Sequence, residues 1–388
     1  MADSEHHEMF NLTEYVKNMA YRTLDLDEAV RYLNEDFPIR RIDEVLLNAI
    51  KQKAMQCNST EEDVKAALRK NLESKSWSSW LKPGMKKSMD RESAFKIAFA
   101  LHMTYEETEE FLKRCWLDGF YMRDIRDVVY RHGLEYNWDY NRAIQIINDF
   151  ADYDVGNPEP EGKIHRELTE DIKNQASLIT TESELRYLIQ KNKQFFGSFR
   201  RKTYKRFKEL YDQIKQEWDN IADLDLELDL IDGGVQDYAR DTVSMKELCD
   251  VIVKGIPEMK KRGSNTIISR CITEHVPTRT AMSEIINMYE RKGEIKQVDR
   301  KLLMLAWLAS EDGDILNFQS GNVEEDFAEH IMVLNTALLS RHGMAPLDAR
   351  HPFDWIVMNS MRCAYALSEK SGKTADIEER MRNLIEKM

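Results

Sequence analysis

The chain has 388 residues, of which 69 are acidic and 56 are basic, and its formal net charge is −13. An acidic body repels a phosphate backbone, which argues against indiscriminate nucleic-acid binding over the whole surface. The longest apolar run, residues 302–309, is far too short for a membrane span, and we expect no membrane contact.

The N-terminus and the cysteines indicate the cellular compartment. Residues 1–10 are polar and acidic, which is unlike a secretory signal. The five cysteines lie far apart in sequence and form no CxxC pair, which is typical of reduced thiols. We therefore expect a cytoplasmic protein.

Helix is favoured nearly throughout, because the chain has only 8 prolines and 15 glycines and is rich in good helix formers. Apolar residues recur with the period of a helix from residues 24–33 up to about residue 150. We predict an all-α fold that begins with an N-terminal helical extension, residues 1–40. A first helical lobe follows at residues 41–150.

The stretch SWSSWLKPG, residues 76–84, lies where a helix-turn-helix would end its DNA-reading helix. In that motif a small residue marks the close crossing of two helices, and a turn residue and two apolar residues follow at fixed spacing. Those four positions are occupied here by Ala67, Asn71, Leu72 and Trp77. Asn71 suits the turn, because asparagine tolerates the left-handed conformation. An ordinary helical hairpin with tryptophans in its core fits the same pattern.

Two basic islands interrupt the acidic chain. Residues 64–91 carry eight Lys and Arg residues against two acidic ones, and residues 190–208 carry eight and no acidic residue. Short polar and basic side chains at these places are suited to contact base edges and phosphates. The predicted DNA-binding residues are Ser74, Lys75, Ser78, Ser79, Lys82, Lys86, Lys87, Arg200, Arg201, Lys202 and Lys205.

Aromatic residues interleave with the cations of the second island. Exposed rings beside basic side chains would stack on the bases of a single strand. The alternative is an amphipathic helix with its basic residues in solvent and its aromatic residues in the core. The aromatic residues in question are Phe199, Tyr204, Phe207 and Tyr211.

The first lobe resembles the Cro/C1-type (XRE) helix-turn-helix family over residues 48–114. Within this range, SMDRESAFKIAFALHMTYEETEEFLKR is similar to the fourth and fifth helices of that family. Residues 117–147 look like a helical tail of some XRE-like proteins from Gram-positive bacteria. The resemblance implies a five-helix lobe that contacts DNA through residues 74–82, in a protein that dimerises to read paired half-sites.

Beyond the first lobe, residues 151–164 contain Gly and Pro in an acidic context and are predicted to be a linker. Residues 165–239 are predicted to form a basic helical middle segment with two long helices up to residue 222. The following stretch, residues 223–234, alternates leucine with acidic residues, which indicates a short strand, an extended acidic strip or a helix end. A second helical lobe is predicted at residues 240–388.

The two lobes match each other in sequence, which predicts an ancient duplication. At an offset of 209, Asp299-Arg300 falls on Asp90-Arg91. At an offset of 227, the Arg-x-x-x-Asp motif that ends at Asp354 falls on the one that ends at Asp127. Because its residues are four apart, this motif predicts an ion pair on the surface of one helix in each lobe. The alternative is a partly buried pair that organises the lobe.

No catalytic signature is found in the chain: phosphate-binding, dinucleotide-binding, zinc-protease and nucleophile-elbow motifs are all missing. His132 and His342 both lie in Arg-His-Gly stretches, where a histidine can bind the last carbonyls of a helix. We therefore predict a protein that is not an enzyme and has no metal or cofactor.

Two functions fit these features. The first is a DNA-binding regulator of bacterial or phage type that uses the helix-turn-helix-like lobe and forms a homodimer. The alternative is a non-enzymatic helical adaptor or inhibitor that binds a protein partner and retains the helix-turn-helix shape without reading DNA. The acidic net charge favours the alternative, and the basic islands favour the regulator.

Overall fold

The computed structural model describes most of the chain: residues 14–38, 41–72, 77–82, 89–151, 165–231, 244–256, 272, 276, 279–292, 297–315, 320–371 and 376–388. Within these ranges all regular structure is helical, so the predicted all-α class is confirmed. None of the helices in this part of the chain is long and apolar enough to cross a membrane.

Seventeen α-helices are named here. In chain order, α1 to α17 are Leu26–Arg31, Ile42–Gln56, Glu61–Asn71, Trp77–Trp80, Arg91–Ala100, Tyr105–Arg114, Ile125–Glu135, Tyr140–Asp149, His165–Leu178, Glu182–Lys191, Ser198–Ile231, Met245–Ile252, Arg279–Lys292, Arg300–Leu308, Val323–Val333, Pro352–Ser371 and Ile377–Lys387. Residues 14–20 are also helical. π-Helical turns extend α1 at Tyr32–Asp36 and α15 at Leu334–Leu339.

Local sequence explains where many of these helices begin. The hydroxyl of Thr60 and that of Thr104 each accept a hydrogen bond from the third backbone N–H of α3 and α6. An acidic residue at that third position bonds back to the backbone N–H of the threonine, which completes a capping box. The aspartates that precede α5 and α14 cap those helices through one hydrogen bond each.

The chain divides into two compact units. The first unit contains residues 39–201 and 343–345, and the second contains residues 1–38, 202–342 and 346–388. The N-terminal extension therefore belongs to the same unit as the C-terminal helices, and the division of the middle segment falls inside α11.

The first unit has a continuous apolar core to which α2, α3, α5 and α7 contribute. Leu46, Ile50 and Leu68 are completely buried, and six of the ten residues of α5 are buried. Trp80 of the short helix α4 is also buried. Burial of this much apolar surface is the main source of stability for the unit.

Within the second unit, polar side chains of the last two helices bind backbone carbonyls of residues 22–24. Asn359 of α16 donates to the carbonyl of Arg22 at 3.0 Å, and Arg380 of α17 donates to the carbonyl of Leu24 at 2.7 Å. Helix α14 is buried along its whole length from residue 301 to residue 308, which explains the longest apolar run of the sequence.

Each unit contains an arginine–aspartate pair whose carboxylate is buried. Arg91 is the first residue of α5 and donates to Asp127 of α7 at 2.7 Å. Arg300 is the first residue of α14 and donates two hydrogen bonds of 2.8 Å to Asp354 of α16. Both carboxylates also accept the backbone N–H of the residue six positions earlier. The two arrangements agree with the offsets of the predicted repeat, and the duplication itself stays a prediction.

The predicted ion pairs within single helices are wrong. Arg123 lies before the first residue of α7, so it shares no helix with Asp127, and it donates to the carbonyl of Phe195 at 3.3 Å. Arg350 likewise lies before α16 and pairs with Asp348 at 2.6 Å. The four-residue spacing predicts a contact only where both residues are helical.

The two aspartates differ in how strongly their partners favour the charged form. Burial raises the pKa of Asp127 above its usual value, and the opposing effect of Arg91 is smaller. Burial also acts to raise the pKa of Asp354, but the charge of Arg300 and its hydrogen bonds outweigh that effect and hold the pKa below its usual value.

The described part of the middle segment, residues 165–231, contains three α-helices, α9 to α11, instead of the predicted two. The additional break precedes α10, where Thr181 forms a capping box with Glu184. Helix α11 continues to Ile231, so the strand predicted after residue 222 is wrong and the helix-end alternative is confirmed for residues 223–231. Leucines four residues apart sustain the helical period there.

Candidate functional site

The predicted DNA-reading helix is only partly described. Helix α4 covers Trp77–Trp80, a single turn, and includes Ser78. Of the predicted contacts that follow, Ser79 is partly buried and Lys82 is exposed. Ser74, Lys75, Lys86 and Lys87 lie outside the described residues.

The packing expected of a helix-turn-helix is not found at its central positions. Ala67 is exposed, although the motif requires a small buried residue where the second helix crosses. Asn71 is the last helical residue of α3, and its φ is not positive. Helix α4 contacts α2 and directs Trp80 into the core. The helix-turn-helix and the helical hairpin therefore both stay predictions for this stretch.

Three of the four aromatic residues predicted to interleave with the second basic island lie in the core. Tyr204, Phe207 and Tyr211 are buried, so the predicted alternative of a core-facing stripe is confirmed for these three. The side chain of Phe199 is not among those described. Buried rings cannot stack on bases, and the single-strand model loses its main support.

Several cations of this island pair with acidic residues. Arg200 bonds Asp124 at 3.2 Å, and Lys205 lies 3.9 Å from Glu209. Ion pairs also join Arg206 to Asp312 and Lys208 to Asp212. Arg201 and Lys205 remain exposed, and Lys202 is partly buried. The island is therefore less basic in the folded protein than along the sequence.

The predicted contact with a helix-terminal carbonyl is found for His342 and is wrong for His132. The Nδ1 atom of His342 lies 2.5 Å from the carbonyl oxygen of Leu338, so the predicted carbonyl contact is confirmed. His132 lies inside α7, and neither of its ring nitrogens has a hydrogen-bond partner among the described residues. It packs between the rings of Tyr136 and Trp138, and burial lowers its pKa to about 4. No cluster of possible metal ligands is found in the described part of the chain.

A groove lies between α2 and α6 in the first unit and is called the α2–α6 groove. It encloses about 310 Å³. Its floor is apolar and consists of Val45, Ala49, Leu101, Met103 and Phe111. All of these except Ala49 are buried, and Ala49 is partly buried. The small side chain of Ala49 leaves room that a larger apolar residue would fill.

The walls of the groove are polar. Gln52, Lys53 and Gln56 line it from α2, and Glu106, Glu107, Glu110 and Arg114 line it from α6. Across the groove, the side-chain amide of Gln56 donates to Glu107 at 2.6 Å. Arg114 bonds Glu110 at 2.9 Å, and the Lys53 amine donates to the carbonyl of His102 at 2.9 Å.

Among the charged residues of the lining, three glutamates stand against one lysine and one arginine. Both cations have partners, whereas Glu106 is exposed at the rim. Sequence reasoning missed this site, and the one available signal is the stripe Val45, Ala49, Gln52 and Gln56. Those residues share one face of α2, and large apolar residues are replaced there by small or polar ones.

Comparisons with known proteins give no relative for this arrangement: no family model, no curated protein and no solved structure matches the chain. The resemblance of residues 48–114 to the Cro/C1-type family therefore stays a prediction based on sequence pattern.

Proposed function

We propose that the chain is a non-enzymatic helical adaptor or inhibitor that binds a protein partner through the α2–α6 groove. The observation that supports this proposal is the combination of a largely buried apolar floor with a polar rim on which Gln52, Gln56 and Glu106 are exposed. An apolar depression surrounded by polar residues is typical of sites that receive side chains of another protein.

The distribution of polar groups favours a protein partner over a small molecule. Sites for small molecules usually place a few polar groups deep in the cavity, where they fix the orientation of the ligand. Here the polar residues line the walls, and Gln56, Lys53 and Arg114 already bond to the protein itself. The floor offers apolar contact only.

Electrostatics favours the same partner class over DNA. The chain has a net charge of −13, and the groove lining contains more carboxylates than cations. Desolvating a phosphate beside such a surface would be unfavourable. The exposed Ala67 also lacks the packing on which DNA reading by a helix-turn-helix depends.

Site-specific photo-crosslinking in the native cells tests the proposal. A photoreactive phenylalanine is placed at Gln52, on the groove, and at Gln216, an exposed control position on α11. We expect a discrete protein adduct at Gln52 that is missing at Gln216. Equal adduct patterns at the two positions, or no adduct at either, would contradict the proposal.

DNA binding is the second candidate function, supported by the exposed cations Lys82, Arg201 and Lys205. It predicts binding to random duplex DNA that weakens steeply as salt rises. Loss of binding in Lys82→Glu would assign the contact to the predicted reading helix, and loss only in the double variant Arg201→Glu/Lys205→Glu would assign it to α11. No binding at low salt would exclude this candidate.

A further inference from the structure

We propose that the partner presented to the α2–α6 groove is an amphipathic helix with apolar anchor residues on one face and Lys or Arg beside them. This inference rests on the proposed protein-binding function and specifies the chemistry of the partner. It is drawn from the size, the length and the charge of the groove.

The size of the groove limits the partner to a few inserted side chains. A volume of about 310 Å³ is at the lower end of the range of ligand pockets, roughly 300–1,000 Å³. The floor contains no group that needs a polar partner. Leucine, methionine or phenylalanine side chains therefore fit it, whereas a polar side chain would be desolvated without compensation.

The length of the groove matches a helix. The lining residues of α2 extend from Val45 to Gln56, which corresponds to roughly 16 Å along the helix axis, or about three turns. A partner helix of similar length places apolar residues at i, i+4 and i+7 on one face. The small residue Ala49 allows the closest approach of that face.

The charge of the groove determines which residues the partner helix carries beside its apolar anchor residues. Arg114 is held by Glu110, and the Lys53 amine is held by the carbonyl of His102, so neither is readily available to a partner. Glu107 and Glu110 on the opposite wall are likewise held, by Gln56 and by Arg114, whereas Glu106 is exposed. A partner Lys or Arg would complement Glu106, and a partner Asp or Glu would be repelled by it.

Selection from a display library of helical peptides, with the full-length chain as target, tests the inference. The library is randomised at the anchor positions and at the positions beside them. We expect enriched peptides to carry Leu, Met or Phe at the anchors and Lys or Arg beside them. Their affinities are then measured by fluorescence polarisation against the parent chain and three variants.

The three variants distinguish peptide binding in the groove from peptide binding elsewhere on the surface. Ala49→Trp fills the groove and should weaken the selected peptides about tenfold or more, equivalent to about 1.4 kcal/mol. Glu106→Lys leaves the floor intact and should weaken the basic peptides severalfold, with less effect at high salt. Glu329→Lys, a matched change at an exposed helical position of the second unit, should leave binding unchanged.

Two outcomes would overturn the inference. If peptides with acidic flanks are enriched and bind the groove, the charge argument is wrong although protein binding through the groove is retained. If no enriched peptide is sensitive to Ala49→Trp, a helix is not the partner of this groove. In both cases crosslinking at Gln52 decides separately whether the groove binds protein at all.

Discussion

Glu378 provides the sharpest stability prediction. It is the second residue of α17 and is only 8% exposed, and one of its carboxylate oxygens has no hydrogen-bond partner within the described structure. Burial raises its pKa to about 8, and the nearby charge of Asp376 adds to the effect. Lys254 and Arg382 act in the opposite direction but do not cancel it. We expect Glu378→Gln to stabilise the protein at alkaline pH.

The size of the effect follows from the pKa difference between the folded and unfolded states. A pKa difference of one corresponds to about 1.4 kcal/mol. Because the pKa of Glu378 is raised from the ordinary 4.5 to about 8, its ionisation lowers the free energy of unfolding at alkaline pH by a few kcal/mol at most. Between these two pH values the folded state binds more protons than the unfolded state. The stability of the parent protein should therefore fall as pH rises through this range and stop falling above it.

Chemical denaturation at pH 5 and at pH 9 measures this effect, with Glu379→Gln as the control. Glu379 is the next residue of the same helix and is exposed. We expect Glu378→Gln to gain stability over the parent at pH 9 and to gain little at pH 5, and Glu379→Gln to follow the parent. Identical pH dependence of the two variants would refute the reasoning.

Three further predictions concern the buried polar groups and the core. Arg300→Met leaves Asp354 buried without its partner and should cost about 3–5 kcal/mol of unfolding free energy. Arg91→Met should cost less unfolding free energy, because the side chain of Arg91 is 33% exposed against 12% for Arg300. Denaturation curves of the two variants measure both costs, and a larger cost for Arg91→Met would contradict the argument. His132→Phe should reduce the loss of stability between pH 6.5 and 4, because the lowered pKa of His132 makes the folded state bind fewer protons than the unfolded state there. Melting temperatures across this range would show an unchanged slope if the reasoning is wrong. Trp80→Ala should cost about 3–5 kcal/mol, and a cost near zero would remove this residue from the core.

The helical class was predictable because it depends on local sequence alone. Few prolines and glycines and a regular apolar period are properties of neighbouring residues. The capping boxes before α3 and α6 are of the same kind, since their two members lie three residues apart. The position of α4 was also indicated, but the exposure of Ala67 was not, because it depends on how α3 packs in the folded chain.

The arginine–aspartate pairs are contacts that the sequence pattern alone could not identify. The repeat alignment singled out Arg91, Asp127, Arg300 and Asp354, but it paired the aspartates with the wrong arginines. The true partners are 36 and 54 residues apart in sequence, and no spacing rule identifies a contact between separate helices. An ion pair four residues apart is predictable from sequence only when one helix contains both members.

The groove was not predictable from the sequence. Helix α2 and helix α6 each have the pattern of an ordinary amphipathic helix. The space between them arises because Ala49 and the neighbouring glutamines do not fill it, which becomes visible only when the two helices are seen side by side. The basic islands were the more conspicuous feature, but ion pairs with distant acidic residues offset part of their charge.

The most direct test of the central claim is the yield of the protein adduct at Gln52 in the native cells, measured in the parent sequence and in Ala49→Trp. The groove account predicts a discrete adduct whose yield falls about tenfold or more when the tryptophan fills the floor, equivalent to about 1.4 kcal/mol. The same adduct at the same yield in both proteins, with the variant folded as judged by circular dichroism, would contradict protein binding through the α2–α6 groove.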